Sequence, residues 1–285
     1  MAIITHRDGI PPEKDGGFLN FLYHNFLGRI LLKFLISRPL SIICGKFLDS
    51  SCSRFLIKPF VKNNNIDLND YESDNFRCFN DCFVRKIKDG LRPIDASLNS
   101  LISPCDGLLS AYRITGDEII PIKQSAYSVC DLLENRELAA HFKGGTCLVF
   151  RLCVNHYHRY GYPVNGVKGD NIFIPGKLHT VRPIALASLP VFSRNCREYT
   201  VMESEHLGKI VQMEVGAMLV GKIKNHHGKC SITRGDEKGM FLYGGSTVIL
   251  LLEKNIQIPE FLFENTKNAL ETPIKMNEEI GKALA

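Results

Sequence analysis

The chain has 285 residues, 45% hydrophobic and 23% charged, the make-up of an ordinary globular protein with enough apolar side chains for a sizeable core. Its ten cysteines are scattered, with no CxxC pair and no Cys/His cluster at zinc spacing. They read as free, mostly buried thiols of a reducing compartment, with no metal site implied and a disulfide framework the lesser reading.

The net charge of +5 is unevenly placed: between Phe18 and Lys62 seven basic residues stand against Asp49 alone, and the rest of the chain is close to neutral. Concentrated positive charge seeks an anionic partner, either lipid or nucleic acid. Residues 1–17 carry Gly, Pro and mixed charge, show no secretory signal pattern, and read as a loose leader. Phe18–Ser37 (FLNFLYHNFLGRILLKFLIS) predicts an amphipathic helix, with Asn25, Arg29 and Lys33 at i, i+4 spacing along a narrow polar line. A spanning helix would bring Arg29 and Lys33 near mid-membrane at about 2.5–3.5 kcal/mol each. A helix lying in the interface avoids that cost. Pro39–Val61 repeats the mixture with Lys46, Arg54 and Lys58. A helix hairpin buried on its own domain is the bland alternative. Nucleic-acid binding is disfavoured, because the basic residues interleave with aliphatics in helical register and form no polar basic patch.

Residues 63–75 (NNNIDLNDYESDN) predict a polar linker, and Phe76–Gly90 a helix. From Arg92 onward short apolar runs alternate with Gly, Pro and Asn turns, which predicts a predominantly β domain with one helix near Ser128–Phe142. The end, from about Pro259 to Ala285, reads as polar surface chain, irregular or helical. The expected fold class is α+β, divided into an N-terminal amphipathic helical, membrane-binding region over 1–75 and a β-rich catalytic domain over 76–285.

Three segments carry the residue types of catalysis. Gly244-Gly245-Ser246-Thr247 opens the strongly apolar run Val-Ile-Leu-Leu-Leu. Glycine leaves its own carbonyl sterically open, so the Oγ of the following serine can swing onto it, the geometry of an N→O acyl shift. A plain strand-opening turn has the same sequence. Ser103-Pro-Cys-Asp-Gly107 places Asp106 in a tight turn, where an ordinary Asx-turn acid also fits. Val154-Asn-His-Tyr-His-Arg-Tyr-Gly161 brings His156 and His158 after an apolar strand. Asp, His and Ser are the parts of a nucleophile–base–orienter relay, although sequence order does not show that they meet.

In this order and at these separations, the three segments resemble the pyruvoyl-dependent phosphatidylserine decarboxylase proenzymes. Phe79-Asn-Asp-Cys-Phe-Val-Arg85 with Arg92-Pro-Ile94, Ile174-Pro-Gly176, Arg194-Asn195 with Arg197-Glu198, and Val215-Gly-Ala-Met-Leu-Val-Gly221 resemble further stretches of that family. The likeness covers about residues 20–253. Two departures stand out. Gly244 replaces the leucine of many members, and Gly161 stands where members with an HRxH pattern have a second histidine.

The resemblance implies self-cleavage at Gly245–Ser246 into a β chain, 1–245, and an α chain, 246–285, that remain together as a heterodimer; assembly beyond that pair is left open. Ser246 becomes the covalent pyruvoyl cofactor, which forms a Schiff base with the amine of phosphatidylserine. That group acts as electron sink while carbon dioxide leaves and phosphatidylethanolamine forms, and no metal is required. The self-cleavage base is His158, with His179 or His156 as alternatives, and Asp106 orients it. The implied partners are phosphatidylserine and an anionic membrane surface, with the protein peripheral on the cytoplasmic face of the cell membrane. Competing readings are a pyruvoyl decarboxylase of a soluble amino acid and an unprocessed, non-enzymatic relative.

Overall fold

The computed structural model describes residues 6–12, 15–94, 97, 99–122, 125–188, 190–217, 222–242 and 247–284. The first third is helical: α1 (Gly17–His24), α2 (Phe26–Leu35), α3 (Arg38–Leu48), a 3-10 turn over Ser51–Leu56, α4 (Ile57–Asn63) and α5 (Phe79–Phe83). The one helix expected over 18–37 is two. Asn25 is extended, and its side chain accepts from Leu27 N at 2.9 Å, capping α2 and ending α1. The two helices meet at Gly28, where a Cβ would stand 2.0 Å from Phe21 O; only glycine permits that approach. Leu22, Tyr23 and Leu32 point inward, while Phe18, Phe26, Leu27, Phe34, Ile42 and Ile43 are exposed.

The remainder holds short helices and, among the described residues, seventeen strands. The helices are α6 (Val129–Leu133), α7 (Arg136–Ala140), α8 (Pro183–Ser188), α9 (Val191–Arg194) and α10 (Glu260–Lys267). The strands are β1 (Ser100–Ile102), β2 (Gly107–Arg113), β3 (Ile119–Ile122), β4 (Ser125–Ser128), β5 (Thr146–Arg151), β6 (Arg159–Gly161), β7 (Gly166–Lys168) and β8 (Ile172–Ile174). They continue as β9 (Arg197–Ser204), β10 (Gly208–Val215), β11 (Ile223–Asn225), β12 (Cys230–Ile232), β13 (Glu237–Phe241), β14 (Thr247–Leu252), β15 (Ile256–Gln257), β16 (Thr272–Ile274) and β17 (Glu279–Ala283).

The main sheet runs β12-β7-β9-β10-β14-β5-β2-β16, with β8 beside β9. Its apolar strands are buried on both faces, which is why they read as continuous hydrophobic runs. On β14 the side chains alternate. Ile249 and Leu251 join a core with Leu22, Tyr23, Phe142 and Phe192 under the helices. Val248, Leu250 and Leu252 join a second core with Tyr160, Phe241, Ile256 and Leu262, under β6, β13 and α10. Each such side chain contributes about 1.5–3 kcal/mol by leaving water.

Several expectations are corrected. Residues 76–285 do carry more strand than helix, as expected, but with six short helices interspersed among the described residues. The leader is tied down by Arg7, paired with Glu278 at 2.9 Å, and by Ile10 bridging Glu271. The polar linker is pinned through Tyr71, which bridges Ile87, and Glu72 N, which donates to Lys86 O at 2.8 Å. That pairing also consumes the second half of the helix expected over 76–90, leaving only Phe79–Phe83. The helix near 128–142 is interrupted by Glu134 in the left-handed region (φ 49°). The tail is not merely surface chain: β16 pairs with β2, and β17 with β1.

All ten cysteines are free, five of them buried. Among the described residues no helix is long and apolar enough to cross a membrane.

Candidate active site

Four neighbouring strands end in one row: Val215 of β10, Thr247 of β14, Arg151 of β5 and Leu108 of β2. Thr247 follows Ser246 in the chain. The predicted Gly245–Ser246 bond lies outside the described residues, so the frame is set by Phe241–Leu242 before it and Thr247 after it. Thr247 Oγ1 is buried and has no hydrogen-bond partner among the described residues. A small cavity of about 20 Å³ touches it, lined also by Ser110, Arg151 and Glu271. Arg151 is locked to Glu271 by two parallel bonds, Nε–Oε1 at 2.9 Å and Nη2–Oε2 at 2.6 Å.

The other two motifs reach the same end of the sheet through backbone pairing. Gly161 N donates to Pro104 O at 2.8 Å, joining the histidine segment to the Asp106 turn. Phe241 N donates to His158 O at 2.9 Å, joining it to the strand that leads toward Ser246. Asp106 immediately precedes β2 and is buried. Its Oδ1 accepts from Arg92 Nε at 2.8 Å and Met276 N at 2.8 Å, and its Oδ2 from Arg92 Nη2 at 2.6 Å. This bidentate pair holds the Arg92 guanidinium still more firmly charged. The described hydrogen bonds join Asp106 to Arg92 and Met276, not to His158 or His179.

His158 is 1% exposed, with its ring 3.9 Å from that of Phe83. Its Nδ1 lies 2.9 Å from His156 O. A carbonyl only accepts, so Nδ1 carries the hydrogen and Nε2 keeps a lone pair. Burial, then the Arg85 charge, push its pKa well below 6.5. The imidazole is therefore held neutral, with its basic nitrogen unpaired among the described residues. Arg85 is itself fully buried, donating to Asn155 O and His156 O at 2.8 and 3.1 Å. His156 is committed differently: its Nδ1 accepts from Cys153 N at 3.0 Å.

His179 also stands at this end. Asn195 clasps it, accepting from His179 N at 3.0 Å and donating to His179 O at 2.7 Å. The same amide donates to Gly216 O at 2.7 Å, one residue beyond the Val215–Thr247 pair. Its Nδ1 lies 3.3 Å from Tyr23 OH of α1. Burial, then Arg194 and Lys177, lower its pKa.

Gly161 leaves little room for a second histidine: a Cβ there would meet Met276 Cε at 2.8 Å and Asp236 O at 2.9 Å. Sequence reasoning missed the arginines that organise the site. Arg85 and Arg92 stand inside segments it singled out, but nothing in their spacing shows that they turn inward.

A family model described as phosphatidylserine decarboxylase matches residues 79–282. A phosphatidylserine decarboxylase proenzyme 2 of Clostridium acetobutylicum is 45% identical over 272 residues, covering 95% of this chain and 93% of its own. A phosphatidylserine decarboxylase proenzyme of Clostridium botulinum (strain 657) is 41% identical, with 94% of each chain covered. One of Ruminiclostridium cellulolyticum is 38% identical, covering 98% of this chain and 96% of its own.

Proposed function

The chain belongs to the phosphatidylserine decarboxylase family, and from that premise we propose that its pyruvoyl group forms from Ser246 at the sheet end bounded by Asp106, His158 and His179. The protein is a lyase that converts phosphatidylserine to phosphatidylethanolamine and works as a processed two-chain form of a proenzyme. The residues present suit a pyruvoyl group at position 246. The Thr247 hydroxyl, unpartnered among the described residues and beside a small, mostly apolar cavity, is a donor that a ketone or amide oxygen would satisfy.

The observation that carries the assignment is the neutral His158. Its tautomer is fixed, its Nε2 lone pair is free among the described residues, and its own carbonyl holds Phe241, at the end of the strand before Gly244-Gly245-Ser246 in the chain. His158 Nε2 takes the Ser246 Oγ proton, and the oxygen attacks the Gly245 carbonyl. The Gly245–Ser246 C–N bond breaks as the ester forms, its nitrogen taking up a proton; removal of the Ser246 Cα proton then breaks the Oγ–Cβ bond and frees the Gly245 carboxylate. Water then replaces the serine nitrogen, which leaves as ammonia, and a ketone caps the small chain. Buried beside Arg85, the imidazolium is disfavoured and returns its proton readily. His179 is the second choice, because its Nδ1 meets a tyrosine hydroxyl that sets no tautomer. Asp106 anchors the turn, drawing Arg92 and the Met276 amide to the sheet end.

In decarboxylation the pyruvoyl group supplies the electron sink for the pair released as carbon dioxide leaves. His158 Nε2 would pass a proton to the reacting carbon, taking it up only transiently because burial disfavours the charged ring. The exposed apolar side chains of α1–α3, interspersed with Arg29, Lys33 and Lys46, suit a surface that sinks into the headgroup layer. Free thiols throughout agree with the cytoplasmic face.

The test is mass spectrometry of the 246–285 fragment alongside denaturing electrophoresis. Wild type gives two chains, the smaller capped by a ketone that borohydride reduces. Ser246→Ala gives one chain and no phosphatidylethanolamine. A Ser246→Ala protein that still splits and turns over lipid refutes the assignment.

A further inference from the structure

A cleft of about 370 Å³ opens between α3 and the near edge of the sheets, where Lys46 of α3 faces Lys222, Glu198 and Phe173. Its lining is bonded to described residues near the chain on either side of 243–246. Lys222 O accepts from Leu242 N at 3.1 Å, and Cys196 O accepts from Gly216 N at 2.9 Å. Val215, next to Gly216, pairs with Thr247.

The four formal charges of the cleft cancel, but among the described residues its acids are bonded to amides and not to its lysines. Glu198 already accepts from Asn225 Nδ2 at 2.6 Å, and Asp49 from Asn80 Nδ2 at 2.7 Å. Lys46 and Lys222 have no partner among the described residues. With the two acids already held by amides, the two ammonium groups, unpaired among the described residues, can take an anion without breaking an ion pair. Its apolar side, Ile42 of α3, continues onto the exposed face of the N-terminal helices.

We infer that this cleft seats the lipid's phosphodiester, with Lys46 and Lys222 as its counter-ions. The inference rests on the reading above, that Ser246 carries the reactive ketone. In phosphatidylserine only two carbons separate the phosphate ester oxygen from the reacting amine. A phosphate held between α3 and Lys222 therefore presents the amine toward the Leu242–Thr247 gap, while the glycerol and its chains leave along Ile42. Both lysines are positioning residues: they fix where the head group lies and take no part in bond breaking.

The test uses the processed enzyme with dihexanoyl phosphatidylserine below its micelle concentration, so that surface binding does not enter. Lys46→Gln and Lys222→Gln each raise KM about tenfold, the loss of one charge-assisted contact, with kcat changed little. Lys→Arg at either position restores most of the affinity. Inorganic phosphate competes with substrate in wild type and not in the double Gln variant. Sedimentation with neutral phosphatidylcholine vesicles is the same for all, separating a head-group defect from loss of membrane docking.

Unchanged KM in the double variant overturns the inference. So does a lost phosphate effect with unchanged KM, which makes the cleft a free-anion site. Should Lys222→Gln fail to self-process, Lys46→Gln, on a helix outside the sheets, decides alone. A wild type that never splits, or makes no phosphatidylethanolamine, is instead the failure of the Ser246 reading.

Discussion

Replacing Lys238 by Met should be among the most damaging single substitutions behind the active site. Lys238 and Glu214 are both fully buried and bonded at 2.7 Å. Lys238 Nζ also donates to Asn225 Oδ1 at 2.8 Å and lies 5.5 Å from the Tyr160 ring centroid. Burial raises the Glu214 pKa, and the lysine beside it is the chief influence opposing that rise. Without the lysine, Oε2 keeps only a 3.3 Å contact from Asn225, and Oε1 is already unpartnered among the described residues. Breaking such a pair from one side costs about 3–5 kcal/mol, or roughly 6–20 °C in melting temperature at about 2–4 °C per kcal/mol. Glu214→Gln with Lys238→Met should recover most of it, because no uncompensated charge is left. The deficit of the single variant should narrow as pH falls, since protonating Glu214 removes that charge. The measurement belongs in a Ser246→Ala background, where unfolding is not coupled to separation of two chains. A single variant losing under about 1 kcal/mol, or a double variant no better than the single, refutes the reasoning.

The histidines give a pH signature. Because the folded pKa of His158 is lowered, the unfolded chain takes up a proton below about 6.5 while the folded one does not. Its contribution is thus complete above that value and lost as pH falls; His158→Gln should flatten the acid side of the stability curve. Self-processing should persist below pH 6.5 in wild type, because the base stays neutral, and stop in His158→Gln. Normal processing in that variant, with arrest in His179→Gln, moves the base to His179. Gly161→Ala should cost about 1–3 kcal/mol through overpacking, and trimming Met276 should relieve only part, because the Asp236 carbonyl is main chain. An unchanged melting temperature would show that the local backbone yields.

What was legible in the sequence was chemistry carried by short segments. The apolar run after Ser246 is a central strand, and Asp106 and His158 do arrive at one end of its sheet. The greasy faces of 18–61 are indeed left exposed. What was not legible depends on partners distant in the chain. Thr272–Ile274 forms a strand only because β2 lies beside it, and Glu72 meets Lys86 only because Arg85 draws its loop inward over the Tyr71 ring at 4.4 Å. The break at Asn25 was in principle visible, since asparagine caps helices, but its i, i+4 placement with Arg29 disguised it as part of a polar stripe. The link from Asp106 to Arg92 joins two segments that sequence reasoning marked separately and had no means to connect.

If the chain is cut at Gly245–Ser246 as proposed, the strand after the cut has a consequence for timing. β14 is zipped residue by residue to β10 on one side and to β5 on the other, and those neighbours come from the larger product. Scission can follow assembly but hardly precede it. Shed into water, the small product would present Val-Ile-Leu-Leu-Leu as a bare sticky ribbon with two open edges. The nick therefore doubles as proof of correct maturation, and the newborn terminus is born already stitched into place.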